Sequence, residues 1–173
     1  MTFPSGLAIV CLMKKKLFWL PAILLMIGIF YFSSQPAEVS GNLSGGIAYR
    51  VVQLTTTVLG QNRSPEELLL LAEKIDFPLR KLAHFTEYAL FGMAMALGVL
   101  YGSSLHWSNK RKPYCLVQLI GSLYACSDEF HQLFVPGRAG RISDVLIDST
   151  GVLAGWCIFM LVIWLVGRKV RSR

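Results

Sequence analysis

The chain has 173 residues, 54% of them hydrophobic and only 16% charged, with a mean hydropathy of +0.52. A soluble domain of this length carries more charge and alternates its apolar positions, whereas here they fall in long runs. This excludes a soluble globular enzyme and leaves too little polar sequence for a separate soluble domain. The net charge of +7 is not a nucleic-acid signature, because the basic residues are spread in clusters beside the apolar runs.

In chain order, residues 1–16 read as a cytoplasmic tail, 17–167 as one membrane domain and 168–173 as a second, basic cytoplasmic tail. Read from Met13, the sequence opens Met-Lys-Lys-Lys and enters the first hydrophobic segment, Leu17–Phe32, as a signal anchor does. No small-residue cleavage site precedes Gln35-Pro36, so the segment is expected to be retained. Residues ahead of Met13 read as a loose tail or an early start, and Met1 and Met13 are both candidate starts.

The stretch from Ser33 to Arg80 is too long for a turn. Gly41, Gly45 and Gly46 are expected to break it, after which Ile47, Val51, Leu54 and Val58 recur at helical spacing. Ser64-Pro65-Glu66-Glu67 is a helix start, with Ser64 as N-cap and Glu67 closing a capping box. The helix after it sets Leu68, Leu71, Ala72 and Ile75 on one side. Both read as amphipathic helices on the outer membrane surface or over the bundle, packing without a role in binding.

Three more hydrophobic segments follow: Leu82–Tyr101, Tyr114–Phe134 and Val145–Val166. Each couples a polar end to a track of small residues. His84 leads through Tyr88 to Gly92 and Ala96; Gly121 and Ala125 lead to Asp128, Glu129 and Gln132; Asp144 and Asp148 lead to Gly151 and Gly155. Such tracks let membrane helices approach closely. The expected fold is an all-α integral membrane protein, a four-transmembrane-helix bundle with amphipathic helices in the first outer loop.

Lys14–Lys16, Lys110–Lys112, Arg168, Lys169, Arg171 and Arg173 would then share one side with no acid, while all ten acids and the remaining seven basic residues lie opposite. By the positive-inside rule both termini are cytoplasmic and the polar helix ends face outward. Cys11, Cys115, Cys126 and Cys157 lack a CxxC spacing and read as small core residues. His106 reads as interfacial and unrelated to the polar ends.

Charged residues inside membrane helices are costly and usually face a protein interior. Here His84, Glu87, Asp128 and Glu129 form a candidate acid–base set. Lys81, Tyr88, His131, Gln132, Arg138, Asp144 and Asp148 are candidate ligand contacts around one outward-facing cavity. Pro136-Gly137 supplies the turn that presents Arg138 and Arg141. Arg141, one turn from Asp144, has a structural partner in it, which leaves Arg138 as the ligand contact, its planar fork suited to carboxylate or phosphate. His84, Glu87, Asp128 and His131 are also types that bind a divalent ion, although without HExxH or a similar signature no metal is favoured. There is no Gly-rich phosphate loop, no GxSxG and no cysteine beside a base.

Lys81-x-x-His84-Phe85-x-Glu87-Tyr88, Ser127-Asp128-Glu129-x-His131-Gln132, Pro136-Gly137-Arg138 and Asp144-x-x-x-Asp148 with Gly151, preceded by Phe32-Ser33-Ser34-Gln35, resemble the VanZ-like membrane proteins. The resemblance covers most of the chain from Met13 and implies a small multi-span protein of the cell membrane. It also implies a link to low-level resistance to the lipoglycopeptide teicoplanin, but no reaction. The expected function is therefore to engage the drug or an envelope lipid headgroup in the polar cavity. The alternatives are a membrane-embedded hydrolase or transferase acting on such a headgroup, and a non-catalytic assembly protein whose charges only lock helices together. Expected partners are the lipid bilayer and that amphiphile, with no nucleic acid; oligomeric state and cofactor are left open by the sequence.

Overall fold

The computed structural model describes residues 15–103 and 111–171, and every regular element among them is helical. The chain runs α1 (Leu20–Ser33), α2 (Ala37–Val58), α3 (Pro65–Leu97, continued by a π turn at Gly98–Gly102), α4 (Arg111–Gln132) and α5 (Ile142–Arg171). Expectations that fall on Met13, Lys14, Cys11, His106, Lys110 and Arg173 lie outside the described residues.

Lys15–Ser33, Pro65–Gly102 and Ile142–Lys169 are long and apolar enough to cross a membrane. Their outward faces carry large apolar side chains, among them Leu24, Ile27, Leu161 and Trp164, each at least half exposed. In water such surfaces would drive aggregation; in a bilayer they are the solvated face. The protein is a membrane protein.

Helix α3 organises the others, packing on α1, α2, α4 and, most extensively, α5. It begins as its residues dictate. The Ser64 hydroxyl accepts from the Glu67 N–H at 3.2 Å, and the Ser64 N–H donates to the Glu67 carboxylate at 3.1 Å, closing a capping box ahead of Pro65. Within the bundle the core is built on Tyr88, Phe91, Val99, Val117 and Val152, all fully buried.

The small-residue tracks lie where helices meet. A Cβ on Gly92 would strike the Val152 backbone, and one on Gly121 the Val152 side chain. A Cβ on Gly151 would meet the Phe85 carbonyl and Tyr88 Cβ, and one on Gly155 the backbone of Ala89 and Met93. Near-contact of backbones brings the polar ends of α3, α4 and α5 together.

Three expectations need correction. Gly41, Gly45 and Gly46 do not break the outer segment, since α2 runs through all three. Each such glycine costs a helix about 1 kcal/mol against alanine, and packing of α2 on α3 through Ala48, Val52, Leu68 and Ala72 offsets it. Ile47, Val51, Leu54 and Val58 do share one face of this helix, an exposed one, while the stripe packed on α3 is Ala48, Val52 and Thr56. Small residues face the partner helix and large ones do not.

The helix that starts at Pro65 is not a separate surface helix either. It continues through Pro78 without a break into the membrane segment, because an interior proline removes only one backbone bond and this helix is packed on both sides of it. Lastly, Cys115, Cys126 and Cys157 are free thiols on the outer face of the bundle, not core residues. On a membrane helix an apolar thiol is as well solvated by lipid as by protein.

Candidate functional site

The polar ends converge at the side of the bundle where α1 ends, α4 ends and α5 begins. The connection after α4 turns at Gly137, whose φ of +72° only glycine adopts without strain. That turn is fastened to the start of α2, for the Ala37 N–H donates to the Pro136 carbonyl at 3.1 Å. Arg138 extends from it and donates through Nε to the Gln35 carbonyl at 3.2 Å and through Nη2 to the Phe32 carbonyl at 3.3 Å. Arg138 thus satisfies carbonyls at the C-terminal end of α1, where a cation is favoured.

A cavity of about 420 Å³ opens beside it, lined by apolar Ile29, Phe32, Val39, Leu43 and Ile47 and by Ser33, Gln35, Arg80, His84, Glu87, Asp128 and Arg138. Of the residues expected at a site, four line this cavity: His84, Glu87, Asp128 and Arg138. Half-burial lowers the Arg138 guanidinium from its ordinary value, the Arg80 cation adds to this, and the Asp128 and Glu129 carboxylates oppose it. Arginine starts so high that it stays charged, so the cavity keeps a permanent cation.

The other expected residues form layers behind or beside that cavity. Lys81 Nζ lies 2.5 Å from Asp144 Oδ2, and the Ser143 hydroxyl reaches Asp144 Oδ1 at 3.2 Å. Asp144 is therefore partnered by Lys81 from α3, not by Arg141 one turn away. Arg141 acts through its backbone, its N–H donating to Glu129 Oε2 at 2.8 Å. Gln132, buried, donates through Nε2 to Asp128 Oδ2 at 3.3 Å and to Glu129 Oε1 at 3.2 Å. His84 Nδ1 faces the fully buried Asp148 at 3.7 Å.

His131 is turned toward α1. Its Nε2 is 3.2 Å from the Ser34 hydroxyl and its ring stacks at 4.7 Å on Phe30. Tyr88 is wholly buried, in ring contact with Phe91 and Tyr124. Neither lines the cavity.

Sequence reasoning missed Arg80, Ser33 and the apolar wall. Arg80 had a usable signal, since positions 80, 84 and 87 share one face of a helix. The wall from α2 had none, because Val39 and Leu43 were assigned to a broken segment and Ile47 to a helix without a role in binding.

Two cations, Arg80 and Arg138, and two carboxylates, Glu87 and Asp128, thus share the cavity with an apolar wall, and Arg80 is also paired with Asp76 at 3.1 Å. No curated protein and no solved structure matches the chain. The family model described as VanZ/LLP1 matches residues 18–164, a span that contains all five helical segments up to the last turns of α5 and every residue of the cavity. The chain belongs to the VanZ/LLP1 family.

Proposed function

We propose that this protein binds an anionic cell-envelope amphiphile, a lipid headgroup or a lipoglycopeptide such as teicoplanin, in the cavity lined by Arg80, His84, Glu87, Asp128 and Arg138, and so alters susceptibility to such drugs. One observation carries this reading: apolar side chains of α1 and α2 and two arginines line the same 420 Å³ space. An acyl chain matches the first and a phosphate or carboxylate the second.

The test is binding of a short-chain phosphatidylglycerol, and separately of teicoplanin, to the detergent-solubilised protein. Arg138→Ala and Arg80→Ala should each weaken binding about 10- to 100-fold, as expected for a lost charge-assisted contact. Arg63→Ala, on an exposed residue at the far end of α3, should leave it unchanged. Equal affinity across all three variants would remove the reading.

The orientation belongs to the same proposal. α4, with 22 residues, reaches about 33 Å at 1.5 Å per residue and would serve as the fourth span. Its buried face carries Asp128, Glu129 and Gln132, which lowers its apolar content without exposing charge to lipid. With Lys15, Lys16, Lys112, Arg168 and Lys169 in the cytoplasm, the cavity faces out. In a background without native cysteines, Ala139→Cys should react with an impermeant thiol reagent in intact cells and Lys112→Cys should not. The reverse pattern would invert the topology.

A second reading, a hydrolase or transferase acting on the same headgroup, has the His84–Asp148 approach at 3.7 Å in its favour. It requires that Glu87→Gln and Asp128→Asn stop turnover while amphiphile binding persists.

A further inference from the structure

We infer that Asp128, Glu129 and Asp148 hold a divalent, oxygen-preferring cation of the Ca²⁺, Mg²⁺ or Mn²⁺ class between α4 and α5. One carboxylate oxygen from each lies within 4.8 Å of the others, and the three residues are 3%, 4% and 0% exposed. Oxygens on opposite sides of a cation stand two bond lengths apart, about 4.6–5.2 Å for Ca²⁺ and about 4.0–4.2 Å for Mg²⁺. A spacing within 4.8 Å is of the order that the larger ion needs, and the smaller ion requires the carboxylates to close further. An all-carboxylate set selects such ions over zinc.

The charge balance points the same way. Among the described residues no lysine or arginine forms an ion pair with any of the three, and the basic group set against them is His84, whose Nδ1 is 3.7 Å from Asp148 Oδ1. Lys81 is engaged by Asp144, Arg138 by two carbonyls, and Arg141 offers only its backbone. Each ion buried in this way costs several kcal/mol unless something opposes its charge.

Protonation relieves only part of that cost, because one proton shared between two of the carboxylates removes one charge and leaves the others. Gln132 Nε2 and the Arg141 N–H already donate to Asp128 and Glu129, leaving Asp128 Oδ1 and both Asp148 oxygens with no hydrogen-bond partner. A proton on one of these would find other carboxylates as acceptors and would leave the remaining charge uncompensated. A second buried polar group without a partner comes from α3. The Tyr88 hydroxyl is fully buried, has no hydrogen-bond partner, and lies within electrostatic reach of all three carboxylates. A phenol facing an ion with its oxygen, or a ligating carboxylate with its proton, would be satisfied.

The proposal does not rest on amphiphile binding, because metal content and metal-dependent melting are read with no amphiphile added. The detergent-solubilised full chain is stripped with EDTA, then given CaCl₂, MgCl₂ or MnCl₂, and its bound metal and melting temperature are measured. At about a hundred times the dissociation constant the wild type should melt about 5–10 °C higher and carry a stoichiometric ion. Asp148→Asn should lose both effects, whereas Glu66→Gln, on an exposed residue, should keep them. If Asp148→Asn does not accumulate, Asp128→Asn takes its place, and if neither does, the wild-type metal content and its response to EDTA decide. A wild type that binds none of the three ions, or a shift that survives unchanged in Asp148→Asn, overturns the site.

Discussion

Gly155→Leu is expected to cost about 3 kcal/mol or more, enough to remove most of the folded protein from the membrane. A Cβ at this position would strike the Ala89 carbonyl oxygen and lie 2.9 Å from both the Ala89 carbonyl carbon and the Met93 nitrogen. All of these are backbone atoms of α3, so no rotamer change relieves the clash and the two helices must part. Because α3 and α5 carry the polar ends, parting them also separates His84 from Asp148 and Lys81 from Asp144. The measurement is melting temperature, or folded yield after extraction, beside Gly28→Leu. Gly28 sits in α1, where a Cβ would have no atom within 4 Å, and leucine there should be neutral. If the two variants behaved alike, close approach at Gly155 would not hold the bundle.

Lys81→Ala should lose about 3 kcal/mol, the low end for breaking a buried ion pair, because Lys81 keeps 22% of its side chain exposed against 10% for Asp144. The loss comes from Asp144, which keeps only the Ser143 hydroxyl as a partner. Lys81→Met with Asp144→Leu should recover most of the stability, since no charge then remains to be solvated. Chemical denaturation of the two single variants and the double variant measures the coupling. Additive losses would mean that the lysine and the aspartate act separately, as two ligand contacts would. Recovery in the double variant assigns the pair to holding α3 against α5, and leaves recognition to the cavity residues.

The part of the cavity legible in the sequence, His84, Glu87, Asp128 and Arg138, lies mostly on helices, where spacing is written at helical intervals. Steps of four from His84 to Gly92, and from Asp144 to Asp148, fix which polar and which small residues share a face, whatever the partner helix is. Partnerships across the chain were not legible. Arg141 is the nearest cation in sequence to Asp144, but the ion pair comes from Lys81, 63 positions away, because packing at Gly151 and Gly155 sets which side chains meet. The outer segment misled for a different reason. Gly41, Gly45, Gly46 and Pro78 weaken a helix locally, and local preference is what a sequence displays. Contact between α2 and α3 outweighs it, and that contact depends on both helices existing at once.

The bond between Ala37 and Pro136, with Arg138 on the Phe32 and Gln35 carbonyls, ties the end of α1 to the turn before α5. Those ties brace the top of the cavity, whereas Val39, Leu43 and Ile47 on its flank are each about half exposed on a face suited to lipid. If the cavity takes an amphiphile, as proposed, the route of least work is lateral. An amphiphile that entered past Val39, Leu43 and Ile47 would keep its chains beside apolar side chains, and would avoid the roughly 0.8 kcal/mol per methylene that a detour through water costs. A side door of this kind favours molecules already dissolved in the bilayer over equally charged ones that are not.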